Sequence, residues 1–471
     1  MEVIDYIMRK YLENKIIKSV SRLDLDPDDF RMHFSNPKAD FTRFRRQSFS
    51  DVVKVGLLSP GSCMKENLRH CFGVGSDRPS ASAYIQQRDK LGVQAYRTLF
   101  DHLKDLAEEF TLVRDKYLLV ACDGSDINIH PNKDDASTLV NLSNNPNGKV
   151  CNQLHLNVFC AVPNGYFLDY VIQDHREMNE IQACEQMLER LAACPDYPLS
   201  IITCDRGYES YRLMMRMSSL GIYFCIRAKD INSRSISQRY RDMAEEDGQM
   251  DAIITRKYTR YTTVLRNPGL YPDYVYVPNN SINEFIPETR NPKGGARKGR
   301  PPTVDYFEYS FRIVRLKLSE NSYEVLLTNL PETEFSTSDL KELYHLRWGV
   351  ETAFRQLKYD DCSSFSNTRK KVAAIGEIIL SLIFHNMCVS VMIAFARKQF
   401  RRLENRKLLY KVSYSDLAKT LRLYASGRDP TITIQKIVKE LAMTIQPVRN
   451  ERAFSRILKP RSFTPFIYRA A

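Results

Sequence analysis

Apolar residues recur at helical spacing, about every 3.6 positions, through the first 108 residues of the chain. The pattern is clearest over 40–58 and 81–106, and we predict one helix for each stretch. Two turn-forming sequences, LLSPGS and VGSDRPS, interrupt the helical spacing between them. The amino-terminal part of the chain is therefore predicted to be helical.

The pattern changes to short apolar runs after about residue 111. An apolar run over Tyr117–Ala121 leads into Asp123. The runs over Val150–Val162 and Gly165–Gln173 are separated by the turn PNG, which predicts an antiparallel pair of strands. A helix, a strand, a second helix and a second strand are then predicted over 177–194, Leu199–Cys204, Tyr208–Leu220 and Tyr223–Arg227. Strands that alternate with helices predict a mixed α/β layer fold.

Residues 229–333 depart from this alternation because strand-forming residues dominate them. The segment holds a group of tyrosines, namely Tyr258, Tyr261, Tyr271, Tyr274 and Tyr276. It also contains a basic, low-complexity loop over Glu288–Asp305, a composition that does not order by itself. We interpret the segment as a β-rich insertion.

Helical spacing returns at about residue 334. A helix is predicted to begin after Ser336 or Ser338, either of which is a suitable N-cap, and to run through Lys358. Ile378–Ala396 is nearly long enough to cross a bilayer, but it contains polar residues, so a helix buried in a large core is favoured and His385 is interpreted as a core histidine. The chain thus divides into five predicted regions, 1–108, 109–228, 229–333, 334–396 and a basic helical region over 397–471.

Composition indicates an ordinary soluble globular protein, with 43% hydrophobic and 27% charged residues. The net charge of +13 favours a polyanionic partner, with nucleic acid ahead of an anionic membrane surface. The eleven cysteines are scattered, odd in number and without a CxxC pair, which favours reduced thiols in the cytoplasm and argues against a structural zinc site. The amino terminus is amphipathic and carries Glu2 and Asp5, and it lacks the basic start and unbroken apolar core of a secretory signal.

The stretch YHLRWGVETAFRQLK, residues 344–358, contains one acid among several cations. At about 100° per residue, Tyr344, Arg347, Glu351 and Lys358 lie within roughly 60° of one another on one helix face. One interpretation is a solvated face on which Glu351 pairs with Arg347 or Arg355 at i,i+4. The other is a phosphate-facing stripe, in which Glu351 holds a cation that bridges it to an anionic substrate.

Two further acids follow apolar strands. Asp123 and Asp205 are each predicted to end a strand at the carboxyl edge where α/β sheets place their sites. Taken singly, each is interpreted as readily as an N-cap or turn residue. Together with Glu351 they form a set of carboxylates whose mutual repulsion divalent cations relieve. Two Mg²⁺ ions held by such oxygens activate a water or a 3′-hydroxyl and stabilise the leaving oxygen of a phosphodiester.

These motifs resemble those of the IS4 family of DDE transposases. The family signature Y-x2-R-x3-E-x6-K is matched by Tyr344, Arg347, Glu351 and Lys358. A strand that leads into Asp-Gly-Ser is matched at Asp123, and a strand followed by Asp-Arg-Gly-Tyr is matched at Asp205 and Arg206. The stretches NPKADFTRFRRQSF and SASAYIQQRDKL also resemble family segments, so that the resemblance covers most of residues 35–395.

The resemblance implies an RNase H-like core interrupted by the β-rich insertion. It implies that Asp123, Asp205 and Glu351 are catalytic and bind two Mg²⁺ ions, with Mn²⁺ as the alternative ion. Tyr344, Arg347 and Lys358 would position the phosphate at the end of the element, with Arg206 as a weaker candidate. The implied reaction is cleavage at the ends of an insertion sequence followed by attack of the freed 3′-hydroxyl on target DNA. The implied partners are the terminal inverted repeats, the target DNA, and further copies of the chain in a homodimer or larger synaptic assembly, without a membrane and in the cytoplasm with the nucleoid.

Two features extend or depart from the family pattern. Some family members stack a flipped base on an aromatic residue of the insertion, but the only tryptophan here is Trp348, in the predicted Glu351 helix. A tyrosine of the insertion or Phe285 would have to take that role. The sequence RKGRPP, with Arg297 and Arg300, resembles an AT-hook that binds narrow minor grooves, and a plain basic linker is an equal alternative.

Two other functions remain compatible with the sequence. The chain could be an RNase H-like nuclease that no longer transposes, or a DNA-binding protein that keeps the shape without catalysis. The intact acids argue against the second alternative. Within the favoured function, the amino-terminal helical region is predicted to recognise the terminal repeats, and the region after Arg397 to contact DNA or a second copy.

Overall fold

The structure is a computed structural model that describes residues 25–448, with gaps at 44–46, 60–62, 76–77, 104–109, 142–149, 195–197, 290–303, 321, 362–365, 367, 404–408, 428, 430 and 432. Ten strands form one mixed sheet, and they span Leu118–Ile129 (β1), Leu139–Asn141 (β2), Val150–Ala161 (β3), Tyr166–Asp174 (β4), Ser200–Cys204 (β5), Tyr223–Ala228 (β6), Met250–Thr259 (β7), Tyr274–Tyr276 (β8), Phe307–Ser319 (β9) and Ser322–Thr328 (β10). Two short strands, Leu409–Lys411 (β11) and Gln446–Val448 (β12), pair separately.

Helices occur on both sides of the sheet and at the two ends of the described chain. They span Pro27–Phe30 (α1), Phe49–Leu58 (α2), Met64–Phe72 (α3), Ala81–Arg88 (α4), Val93–Leu103 (α5), Glu180–Ala192 (α6), Tyr211–Ser219 (α7), Thr263–Arg266 (α8), Thr337–Leu346 (α9), Gly349–Arg355 (α10), Lys371–Leu403 (α11), Tyr414–Ser426 (α12) and Ile434–Met443 (α13).

The order of the first strands is that of an RNase H-like fold. β3 pairs antiparallel with both β4 and β1, and β5 and β6 then follow parallel to β1, which gives the order β4-β3-β1-β5-β6. The short β2 pairs with the start of β3 beside β4. β1 and β3 contain long buried apolar runs, as expected for strands covered on both faces. The predicted RNase H-like mixed α/β fold is therefore confirmed.

The strands of the segment 229–333 extend the same sheet. β10 pairs antiparallel with β6, and β9, β7 and β8 follow outward from it. Arg312 on β9 forms an ion pair with Asp251 on β7 (2.6 Å) and donates to the carbonyl of Phe335 just before α9 (2.6 Å). The segment is thereby joined both to the sheet and to the helix that follows it.

Helix α11 is the central helix of the core. Its apolar portion Lys371–Ile393 is long enough to cross a membrane, but 78% of the most apolar window is buried inside the protein. Asn386 hydrogen-bonds the backbone of Phe167 on β4 in both directions, and His385 Nε2 contacts the carbonyl of Gly165 (2.9 Å). The predictions of a buried helix and a core histidine are confirmed.

Three of the predicted helices differ most from the structure in where they begin or how they continue. The helix predicted over 40–58 begins only at Phe49, because Ser48 forms a capping box with Asp51. The helix predicted over 81–106 is two helices, since the chain turns at 89–92 and pairs Leu91 with Phe34. The helix predicted to run through Lys358 begins after Ser336, which is its N-cap, and is interrupted at Arg347 and Trp348.

Replacing Gly376 with alanine should destabilise the protein by about 1–3 kcal/mol. A Cβ at this position of α11 would lie 2.4 Å from the ring of Tyr96 on α5, and this tyrosine is buried. The helix-propensity gain of alanine, at most about 1 kcal/mol, does not offset that overlap. Urea denaturation should show a lower midpoint, whereas Gly269→Ala, whose Cβ would meet nothing within 4 Å, should not. Equal midpoints for the two variants would contradict the close approach of α5 and α11.

Candidate active site

The parallel pairing of β1 with β5 brings Asp123 and Asp205 level with each other. Cys122 is the register partner of Cys204, so the two aspartates follow at the same height on neighbouring strands. The prediction that Asp123 ends a strand is wrong, because β1 continues to Ile129 and Asp123 pairs with Val158 of β3. Asp205 does follow the last residue of β5. The two acids are thus adjacent even though only one terminates its strand.

Each aspartate is oriented by a nearby backbone amide. Asp123 Oδ1 accepts from the N–H of Gly124 (2.9 Å), and Asp205 Oδ1 accepts from the N–H of Gly207 (2.7 Å) in the short 3₁₀ turn Arg206–Tyr208. Asp205 therefore does cap a turn, as the simpler interpretation predicted. Among the described residues this contact engages Oδ1 of Asp205, so that Oδ2 can bind a cation.

Burial, and to a smaller extent the negative charge of Asp205, raises the pKa of Asp123, which reaches about 7. Arg347 and the N–H of Gly124 act in the opposite direction. A carboxyl group whose charged form is disfavoured by burial and by a second acid is stabilised as a carboxylate by a bound cation. The local electrostatics therefore favour cation binding at this pair.

Arg347 connects Glu351 with Asp123. The guanidinium of Arg347 lies 3.5 Å from a carboxylate oxygen of Asp123 and 3.5 Å from one of Glu351. Arg347 is only 5% exposed, whereas the Glu351 side chain is 43% exposed. The i,i+4 pair of Glu351 with Arg347, which one interpretation predicted, is therefore present, and the same buried arginine also contacts Asp123 on the sheet.

The helix that carries Glu351 is held against β1 by Lys358. Its Nζ donates to the hydroxyl of Ser125 (2.6 Å) and to the carbonyl of Asp126 (2.8 Å). Lys358 lies in a π-helical turn, Gln356–Asp360, that follows α10. Such turns commonly occur at functional sites because the wider turn re-aims a side chain. Lys358 therefore contacts the strand that carries Asp123.

The remaining predicted DNA contacts occupy different environments. Tyr344 is 2% exposed and packs beside Arg347, with 5.6 Å between its ring centre and the guanidinium carbon. A phosphate contact by Tyr344 would require the side chain to move. Arg206 is exposed in the turn beside Asp205. Arg297 and Arg300 lie outside the described residues.

Two groups of side chains near the acids were not predicted from the sequence. The first is a cluster of Asp126, His155, His175 and Glu180 on the face of β1 opposite to Asp123, since alternate residues of a strand face opposite sides. Burial lowers the pKa of His155, but hydrogen bonds with Asp126 and Glu180 outweigh it and raise that pKa to about 9. The second is a set of three buried thiols, Cys122, Cys184 and Cys204.

No local sequence motif predicted either group. The cluster residues come from β1, β3, the turn after β4 and α6, and only the strand register brings them together. The scattered cysteines argued against a zinc site, and the fold now places three of them side by side behind the two aspartates.

Asp123, Asp205 and Glu351 offer only oxygen ligands, and burial disfavours the charged form of Asp123. That donor set fits a hard divalent cation such as Mg²⁺. Asp123, Asp205 and Glu351 would hold it, while Arg347 lies between two of these carboxylates.

An RNase H-like sheet with acids on β1, after β5 and on a following helix defines a class of proteins that act on nucleic acids. Comparison with known families agrees: the family described as "Transposase DDE domain" matches residues 114–387, more than half of the chain. The chain belongs to this family of DDE transposases. The match begins just before β1 and ends within α11, so it contains all three acids.

Other comparisons are distant. No curated protein matches the chain. Among solved structures, the cryo-EM structure of the piggyBac transposase synaptic complex with hairpin DNA is similar at 10% identity and a TM-score of 0.45, over 98% of this chain and 88% of that one.

Proposed function

We propose that this protein is a cut-and-paste DNA transposase of the IS4 type. It would cleave DNA at the ends of an insertion sequence and transfer the freed 3′-hydroxyl into target DNA. The observation that carries the proposal is the position of three acids from separate elements within the region that matches the DDE family. Asp123 and Asp205 lie level on neighbouring strands, and Arg347 contacts both Asp123 and Glu351. A carboxylate with a purely structural role would not require two further carboxylates close to it.

In this proposal Asp123, Asp205 and Glu351 are the catalytic carboxylates. Bound divalent ions, Mg²⁺ or Mn²⁺, would supply activation of the attacking oxygen and charge stabilisation of the leaving oxygen. Arg347 fixes the relative positions of Asp123 and Glu351, and its positive charge limits their repulsion before DNA arrives. Lys358 holds α10 against β1, which fixes the position of Glu351 relative to Asp123.

The DNA would approach from the exposed side of the acids. Arg206 is exposed there, Lys358 and the buried Arg347 add positive charge close to the acids, and the net charge of +13 adds attraction at longer range. Tyr344 is assigned to the phosphate contact through its family position, and Arg297 and Arg300 to minor-groove contact. We assign the protein to the cytoplasm, on the nucleoid, where its DNA lies.

Transposition joins two element ends, so the proposal includes an assembly of at least two copies. The amino-terminal helices and the region after Arg397 are assigned to recognition of the terminal repeats and to contacts between copies.

Incubation of the full-length protein with a supercoiled plasmid that carries the DNA flanking its own gene would test this function. Breaks should appear at discrete flanking positions in Mg²⁺ or Mn²⁺ and should be lost in EDTA. A second, marked plasmid in the same reaction should then acquire the excised segment. Metal-dependent cuts without joining would favour the nuclease alternative. Tight binding without cuts in either metal would favour the non-catalytic DNA-binding protein.

Replacing Arg206 with alanine should weaken DNA binding by a similar factor for all sequences. Arg206 is exposed beside Asp205, where a phosphate next to the cleaved bond would lie. Loss of one phosphate contact should reduce the slope of log affinity against log salt concentration by about 1. The slope is obtained by fluorescence anisotropy with labelled duplex at several salt concentrations. Arg266→Ala, an equally exposed arginine on α8, is the matched control and should leave the slope unchanged.

A further inference from the structure

The cluster opposite Asp123 contains two imidazoles and a carboxylate that converge on one point. Asp126 on β1 lies directly across from its register partner His155 on β3. His175 follows β4 in a short 3₁₀ turn. The Nδ1 atoms of His155 and His175 lie 2.7 and 3.0 Å from the same oxygen of Asp126. The three potential ligand atoms all lie within 4.8 Å of one another.

A second observation concerns the other ring nitrogen of His155. Its Nε2 lies 3.1 Å from an Oε1 oxygen of Glu180 at the first turn of α6. Metal-binding histidines usually donate their remaining N–H to a carboxylate, a backbone carbonyl or a water molecule, which fixes the ring orientation and makes the ligand nitrogen more basic. Glu180 therefore occupies the place of an outer partner to a metal ligand.

Gly124 allows this arrangement to pack against β1. A Cβ at that position would lie 2.4 Å from His155 Nε2 and 2.7 Å from Glu180 Oε1. A side chain at this position would force the imidazole of His155 or the carboxylate of Glu180 to shift.

The cluster is also accessible from one side. His155 is buried, but Asp126 is exposed and His175 half-buried, so an ion could enter and retain water ligands. Two imidazole nitrogens and one carboxylate oxygen form a donor set for Zn²⁺ or a similar transition ion, whereas Mg²⁺ prefers oxygen ligands alone.

We propose that Asp126, His155 and His175 form a second metal site, selective for a divalent transition ion such as Zn²⁺ and separate from the three acids. The ion would connect β1, β3 and the turn after β4. It would also fix Asp126, whose carbonyl accepts a hydrogen bond from Lys358. This site does not depend on the proposed transposase activity, because Asp126 faces the side of β1 opposite to Asp123 and none of its ligands is one of the three acids.

Cobalt binding to the full-length protein, stripped of metal with EDTA and then freed of the chelator, would test the site. Co²⁺ is the probe because its visible spectrum reports the ligands. The background protein carries Asp123→Asn and Asp205→Asn, so that the acidic site does not contribute. We expect one Co²⁺ per chain by elemental analysis, and competition by Zn²⁺ but not by Mg²⁺.

His175→Ala is the decisive variant, since this residue lies in a surface turn and the change should leave the fold intact by circular dichroism. It should weaken Co²⁺ binding by at least about tenfold. Asp126→Asn should act in the same direction, and His130→Ala, a histidine just beyond β1, should have no effect. Unchanged binding in His175→Ala would overturn the proposal.

Two further outcomes would also overturn it. Failure of the background protein to bind stoichiometric Co²⁺ would mean that the cluster is only a hydrogen-bonded charge network. Strong thiolate-to-cobalt charge-transfer bands that vanish in Cys184→Ser would assign the ion to the three buried thiols. Cleavage of DNA is measured separately, so failure of the second metal site and failure of the proposed catalytic function remain distinguishable.

Discussion

Asp205→Asn should abolish DNA cleavage, with a loss of about 10⁴-fold or more, as expected for removal of a central catalytic group. Asparagine keeps the shape of the side chain, and its carbonyl oxygen can still accept from the N–H of Gly207, so the turn after β5 should persist. What disappears is the negative charge that would hold a divalent cation beside Asp123. Asp123→Asn and Glu351→Gln should produce losses of the same order.

The measurement is the initial rate of plasmid nicking in Mg²⁺ at equal protein concentration. Duplex binding should survive in Asp205→Asn, because the cations near the acids are unchanged. Asp273→Asn removes an exposed acid of the insertion and should cleave normally. An Asp205→Asn protein that folds and nicks at the wild-type rate would exclude the assignment of this acid.

Arg422→Met should lower the free energy of unfolding by about 3–5 kcal/mol, because it leaves a buried carboxylate without its charged partner. Asp361 follows the π-helical turn, and its side chain is almost completely buried. Arg422 on α12 donates to it at 3.1 Å, and the hydroxyl of Tyr414 donates to its other oxygen. Tyr414 also contacts Nδ1 of His385 (2.8 Å), which connects α12 with α11.

Chemical denaturation followed by circular dichroism gives this free energy. Lys419→Met changes an exposed cation of the same helix and should cost far less. The double variant Asp361→Asn, Arg422→Met removes the unpaired charge and should regain part of the loss. If Arg422→Met and Lys419→Met were equally stable, the ion pair would contribute nothing to the attachment of α12.

The closeness of Asp123 and Asp205 was predictable from the sequence because it depends on strand order. Apolar runs before Asp123 and Asp205 identify two strands, and parallel pairing of such strands places the residues that follow them together. The continuation of β1 was not predictable in the same way. The residues after Cys122, DGSDINI, have poor strand propensity, and pairing with β3 overrides it.

The interruption of the Glu351 helix also depends on tertiary contacts. Helical periodicity continues smoothly from Tyr344 to Lys358, and nothing in it marks Arg347 and Trp348 as a break. Gly349, just after the break, approaches Val162 so closely that a Cβ would lie 2.8 Å from that side chain. Contacts of this kind, and the histidine cluster on β1 and β3, arise from distant parts of the chain that periodicity does not connect.

The pairing of β10 with β6 limits how this protein can be shortened. Without residues 229–333, the hydrogen-bonding groups of β6 that now pair with Val325–Thr328 would face solvent. An open strand edge that includes Cys225 and Ile226 invites pairing with another chain and aggregation. A shortened chain that keeps all three acids should therefore aggregate, rather than stay soluble with a lower rate of DNA cleavage. A natural protein with a shorter version of this segment would need another element to cover the edge of β6.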